Sequence, residues 1–141
     1  MRIRKGEIMY QIIDFKEIGD SRGSLVAIEG SKNVPFEIKR IYYIFNTHSD
    51  VVRGRHAHKK LKQVLICLSG SCMLRIDNGF RKEEILLNDR TKGIYIGPMI
   101  WRELYSFSSD CVLLVLASDH YNESDYIREY STFLDFLKGG S

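Results

Sequence analysis

Short β-rich runs punctuated by turn residues fill most of this chain, and they confine it to an all-β architecture. The runs 10–15, 25–29, 38–45, 62–68, 71–77, 81–87, 93–96, 102–107 and 112–117 are rich in Val, Ile, Leu, Tyr and Phe. Each has the length of a strand and is too short for a helix. Ser69-Gly70 and Asn78-Gly79 carry the residue types that tight hairpins need. Many short strands with close connections bury their apolar faces by packing as a sandwich or closing into a barrel. Beyond residue 120 the period changes. Tyr126, Ile127, Tyr130, Phe133, Leu134 and Leu137 recur at helical spacing, with Asn122 as N-cap and Gly139 past the last turn. The pattern predicts one amphipathic helix over 122–138, packed against the barrel or a partner subunit.

A length of 141 residues predicts a single domain, 1–141, able to bury a core without staples. The polar, basic start predicts a disordered extension over 1–8, and Gly139-Gly140-Ser141 a frayed end. A net charge of +3 with pI near 8.7 favours anionic ligands only mildly and gives no ground for a nucleic-acid binder. No apolar run approaches the roughly 20 residues that span a bilayer, and no segment resembles a secretory signal. Cys67, Cys72 and Cys111 form an odd set without CxxC spacing, each beside apolar residues. They predict buried, reduced thiols and a cytoplasmic protein.

The chemistry concentrates in Arg53-Gly54-Arg55-His56-Ala57-His58, followed by Gln63 and Gly70. In a strand His56 and His58 share one face, about 7 Å apart. This spacing resembles the first metal-binding motif of a cupin barrel, His-x-His, an acid, then glycine. Such a barrel has Glu where Gln63 stands and a third His after a later Pro. Here Gly97-Pro98-Met99-Ile100-Trp101 leads to Arg102, a permanent cation that ligates no metal. The pattern therefore points to metal-free acid/base chemistry without a cofactor. On the strand over 38–45, Arg40, Tyr42 and Ile44 share a face. If Tyr42 meets the two imidazoles, the cavity holds a base and a phenol, with Arg102 to stabilise an oxyanion. These parts suit proton abstraction α to a carbonyl, hence isomerisation or epimerisation of a keto compound. His48 and His120 sit among polar residues and are expected to be exposed. The basic run Arg53, Arg55, Lys59, Lys60 and Lys62 reads either as a solvated edge or as a diphosphate clamp.

Taken together, the chain resembles the nucleotide-sugar 3,4-ketoisomerases, cupin enzymes acting on dTDP-4-keto-6-deoxy-D-glucose. The resemblance runs through Asp20-Ser21-Arg22-Gly23-Ser24-Leu25, Lys39-Arg40-Ile41-Tyr42-Tyr43, the His56/His58 segment and Gln63-Val64-Leu65-Ile66. It continues through Gly97-Pro98-Met99-Ile100-Trp101-Arg102 and Asp125-Tyr126-Ile127-Arg128. It implies a metal-free jelly roll and a homodimer with exchanged N-terminal strands. His56, His58, Tyr42 and Arg102 would be catalytic, and Arg22, Arg40, Arg53, Lys60 and Gln63 would bind the dTDP-linked keto sugar. The product would be a dTDP-3-keto-6-deoxyhexose, destined for a 3-amino sugar of a surface glycan. At two positions that vary with C4 configuration the signatures are mixed. Arg22 looks galacto-forming and Arg102 gluco-forming, and the stretch 20–29 as a whole tips the reading to galacto.

Three rivals use the same residues differently. A 3,5-epimerase would resemble a single His backed by an Asp rather than a His pair. A sugar-nucleotide-binding cupin would need the pocket without proton transfer. A metal-dependent dioxygenase would need the ligands that Gln63 and Arg102 replace. We therefore expect elemental analysis of the purified protein to find no stoichiometric transition metal; one metal per chain would restore the dioxygenase reading.

Overall fold

Residues 8–139 are described here from a computed structural model. The extension expected over 1–8 lies outside the described residues except for Ile8, which is exposed. Gly140 and Ser141 of the expected frayed end also lie outside them. Twelve strands and one helix follow in order: β1 Gln11–Asp14, β2 Ile18–Asp20, β3 Gly23–Leu25, β4 Arg40–Ile44, β5 Arg53–His58, β6 Gln63–Ser69 and β7 Cys72–Asp77. Next come β8 Lys82–Leu87, β9 Lys92–Ile96, β10 Trp101–Tyr105, β11 Val112–Ala117, β12 Tyr126–Ile127 and α1 Tyr130–Leu137.

Two five-stranded antiparallel sheets, β1-β9-β6-β11-β4 and β12-β5-β10-β7-β8, face each other as a cupin jelly roll, with β2-β3 as a separate hairpin. The interior is apolar at one end, where Leu65, Cys67, Cys72, Leu74, Ile76, Ile96, Leu113 and Val115 pack together. Strand β6 is buried on both faces, because Val64 and Ile66 meet Phe15, Val34, Phe36 and Leu116 on the outer side. That double burial is why its sequence is a continuous apolar run rather than an alternation. All three cysteines are free and buried, as the sequence predicts. Among the described residues no helix is long and apolar enough to cross a membrane.

Three sequence expectations need correction. The run 25–29 is not a strand; only Leu25 is paired, in the β2-β3 hairpin. Ser69-Gly70 does not close a hairpin, because β6 and β7 belong to different sheets. Gly70, at φ 65°, turns the chain from one sheet to the other. Asn78-Gly79 does join paired strands, but within a longer connection in which the Asn78 N–H donates to the Arg81 carbonyl at 3.3 Å.

The third correction matters most for the site. The helix predicted over 122–138 is confined to Tyr130–Leu137. Asn122 caps only a 3-10 turn, Glu123–Asp125, and Tyr126–Ile127 is extended. There Tyr126 pairs with His58 and Ile127 with Ala57, completing the edge of β5. The free edge of β5, together with backbone donors that bond the Asp125 carboxylate, outweighs the local helical period. Helix α1 then packs through Phe133, fully buried with Trp101, Met99, Ala57 and Ile127. Replacing Phe133 with Ala is expected to destabilise the chain by about 3–5 kcal/mol, read as a lower urea midpoint.

Candidate active site

A bulge in β5 sets the geometry. Arg102 of β10 faces His56, while the next residue, Glu103, faces Gly54, so Arg55 is an extra residue. Gly54 and Arg55 have φ of 85° and 55°. A Cβ on Gly54 would stand 3.1 Å from the Arg102 carbonyl, which leaves glycine as the residue that fits. In an unbroken strand Arg53 would face away from His56. The bulge restores its parity, and Arg53 and His56 line one cavity.

That cavity, about 420 Å³, is walled by Arg40, Tyr42 and Ile44, Arg53 and His56, Gln63, Arg102, Tyr126 and Arg128. A smaller one, about 230 Å³, lies beside it and is bordered by His58, Lys60, His120 and Asp125. Arg40 and Tyr126 border both. The two imidazoles sit edge to face with ring centres 4.8 Å apart. The Tyr126 ring lies 4.9 Å from His56 and 4.3 Å from His58.

The fold thus brings together His56, Tyr42, Arg102, Arg40, Arg53 and Gln63, with His58 and Lys60 against the adjoining space. It does not bring Arg22 there. Arg22 lies at the tip of the β2-β3 hairpin, its side chain 88% exposed and paired with Asp20 at 2.6 Å. His48 and His120 are exposed, as expected. Among the described residues no group of three or more His, Cys, Asp or Glu is placed to hold a metal ion.

A buried polar chain connects the walls. Arg102 Nη1 donates to Gln63 Oε1 at 2.6 Å, and Gln63 Nε2 donates to the Tyr42 hydroxyl at 3.2 Å. Arg102 Nη2 donates to the Ile100 carbonyl at 3.1 Å. Because Gln63 donates to the phenol oxygen, the Tyr42 O–H remains free to donate elsewhere. Burial, the largest influence, raises the Tyr42 pKa and keeps it protonated. Burial pulls Arg102 down to about 10, still a cation at neutral pH. Burial, then the Arg102 charge, lowers His56 to about 4 and His58 to about 2. Both imidazoles are therefore neutral, each with an unprotonated ring nitrogen whose basicity is reduced.

Residues 123–128 were not singled out as site residues on sequence grounds. Asp125 Oδ2 lies 3.2 Å from His58 Nδ1. Arg128 is paired with Glu123 and stacks over the Tyr126 ring at 4.2 Å. Their helical spacing masked them. The available signal was an acidic and a basic residue bracketing Tyr126-Ile127, a pair fit for an edge strand.

The lowered imidazole pKa values carry a stability consequence. Between the folded values and the ordinary 6.5, the unfolded chain binds more protons, so stability rises with pH. The contribution is complete above about 6.5 and is lost as pH falls through the folded values. We expect urea midpoints to drop between pH 7 and pH 4.5, and to drop less in His56→Asn; equal drops would mean that His56 is not held neutral.

Comparison with known proteins agrees with this geometry. The family model described as "FdtA: WxcM-like, C-terminal" matches residues 9–138. A TDP-4-oxo-6-deoxy-alpha-D-glucose-3,4-oxoisomerase from Aneurinibacillus thermoaerophilus is 57% identical over 127 residues, 90% of this chain and 91% of that protein. A mutant of the 3,4-ketoisomerase QdtA from Thermoanaerobacterium thermosaccharolyticum, solved with TDP-4-keto-6-deoxyglucose, superposes with a TM-score of 0.91. It is 49% identical, over 93% of this chain and 95% of that one. The TDP-quinovose 3,4-ketoisomerase WlaRB from Campylobacter jejuni is 52% identical with a TM-score of 0.86, over 89% and 96%. Matched over nearly its whole length in sequence and in fold, the chain is an isomerase and belongs to the FdtA family of TDP-4-keto-6-deoxyglucose 3,4-ketoisomerases.

Proposed function

We propose that this chain converts TDP-4-keto-6-deoxyglucose to a TDP-3-keto-6-deoxyhexose, with His56 and His58 moving the protons. The observation that carries this reading is the pair of neutral imidazoles beside a buried guanidinium. One imidazole takes the C3 proton and the C3–C4 enediolate forms, its negative charge on the former C4 carbonyl oxygen. Arg102 faces that charge, and the free Tyr42 O–H donates to the same oxygen. The C3 hydroxyl gives up its proton as the C3 carbonyl forms, and C4 is protonated in turn. The C4 oxygen ends as a hydroxyl, so the reaction is redox-neutral and proton-balanced overall. Arg40, Arg53 and Lys60 suit the diphosphate, with Gln63 holding Arg102 toward the sugar.

Arg22 joins this site only if it is supplied by a second subunit. A homodimer with exchanged N-terminal strands would do that, and the exposure of Ile12, Ile18 and Leu25 supports such an exchange. On the strength of the stretch 20–29 we assign the galacto configuration at C4. A 3-keto product is the substrate type of a pyridoxal-phosphate aminotransferase, which would yield a 3-amino-3,6-dideoxyhexose. The His58–Asp125 contact also suits a 3,5-epimerase, since those enzymes were expected to back one His with an Asp. The second imidazole and the ketoisomerase kinship favour 3,4-transfer.

Proton NMR of the protein with TDP-4-keto-6-deoxyglucose in D₂O separates these readings. A 3-keto species with deuterium at C4 is expected; exchange at C3 and C5 without it would mean an epimerase. His56→Asn and His58→Asn should each lower turnover about 100- to 10,000-fold while TDP affinity stays unchanged. Near-normal turnover in both would remove the imidazoles from the mechanism.

A further inference from the structure

We infer that Asp125 is a positioning residue for this reaction, fixing His58 in the tautomer that leaves the Nε2 lone pair as the base. The inference rests on the reading of His58 as a proton-transfer residue. Asp125 and His58 both border the smaller cavity and neither lines the larger one. The carboxylate meets His58 Nδ1, and the His58 ring in turn packs against His56, which lines the larger cavity.

Its hydrogen bonds determine its role. Oδ1 accepts from the Lys60 backbone N–H at 2.9 Å, and Oδ2 accepts from the Leu61 N–H at 3.2 Å. The Asp125 backbone is pinned too: its N–H donates to the Asn122 carbonyl at 3.0 Å, and its carbonyl accepts from Lys59 N–H at 2.9 Å. A carboxylate so engaged is an acceptor held in place. The imidazole nitrogen facing it, His58 Nδ1 at 3.2 Å, must then be the donor. A neutral imidazole carries one N–H, so Nε2 has none. Nε2 is buried and has no partner among the described residues.

Packing and backbone pairing favour this orientation of the His58 ring. Its backbone pairs with Tyr126 on one side and accepts from the Met99 N–H at 2.7 Å on the other. The Tyr126 and His56 rings pack against it. Asp125 also offsets the charge that His58 gains when Nε2 takes a proton near Arg102, a site that otherwise opposes a second cation. Asp125→Asn should invert the arrangement. With the amide oxygen kept on the Lys60 N–H, the NH₂ takes the place of Oδ2. It gives up the Leu61 N–H bond and faces Nδ1, which moves the imidazole proton to Nε2.

The test is ¹⁵N NMR of histidine-labelled full-length protein, read through two-bond proton–nitrogen correlations, beside steady-state kinetics. The expected result is Nδ1–H with unprotonated Nε2 for His58 in the wild type. Asp125→Asn should show Nε2–H, with kcat down about 100- to 10,000-fold and KM within about threefold. Nε2–H in the wild type would overturn the inference, as would an inverted tautomer with unchanged kcat. If Asp125→Asn fails to fold, the wild-type spectrum decides. Full turnover in His58→Asn is a separate result: it would overturn the proton-transfer reading of His58 itself, whatever the tautomer.

Discussion

A buried guanidinium governs this site. Removing a cation from water costs several kcal/mol after relaxation, and a carboxylate in contact is the usual compensation. Arg102 is 2% exposed, and its hydrogen bonds go to neutral oxygens of Gln63 and Ile100. Asp125 acts on it only through space. The charge therefore stays largely uncompensated, and its field falls on whatever shares the cavity. It lowers the proton affinity of both imidazoles and makes the space favourable for an anion. In the proposed mechanism, the field helps keep the imidazoles unprotonated, at a cost in basicity, and places a cation beside the enediolate.

The rest of the fold can be understood as the means of holding that charge in place. Strand β6, buried on both faces, is the rigid wall from which Gln63 reaches Arg102. The bulge at Gly54 and Arg55 bends β5 so that Arg53 and His56 converge while Arg102 keeps its register with His56. Strand β12 closes the edge of β5, and helix α1 holds β12 down through Phe133. Tyr126, a two-residue strand's contribution, is thereby wedged against both imidazoles.

Much of this was legible because strand alternation is a strict geometric rule. The parity of 40, 42 and 44 put Tyr42 on one face with Arg40 and Ile44, and in the fold that face is the cavity side, with Ile41 and Tyr43 exposed. The same rule put His56 and His58 on one face. What was not legible came from places where a local pattern is overruled at long range. Residues 122–129 have a helical period, but the unpaired edge of β5 and two backbone donors claim them, and neither is adjacent in sequence. The bulge was hidden for the same reason, since it is defined by the partner strand. Ser69-Gly70 has hairpin chemistry, yet chain reversal and a crossing between sheets need the same left-handed glycine, and only the topology tells them apart.

Position 63 shows how a single atom can redirect a scaffold. With Glu there, a carboxylate would sit against Arg102 where Gln63 Oε1 now lies at 2.6 Å. The pair would be close and buried, and the guanidinium field would be cancelled at its source. The Arg102 share of the lowered imidazole proton affinity would go while the larger share, from burial, remained, and in the proposed mechanism the enediolate would meet a neutral wall. Tyr42 would suffer as well: a carboxylate accepts where the amide donates, so the phenol would turn its O–H toward residue 63 and away from the cavity. The amide therefore does two things that a carboxylate cannot. It leaves the positive charge of Arg102 uncancelled, and it leaves the Tyr42 O–H free to donate into the cavity.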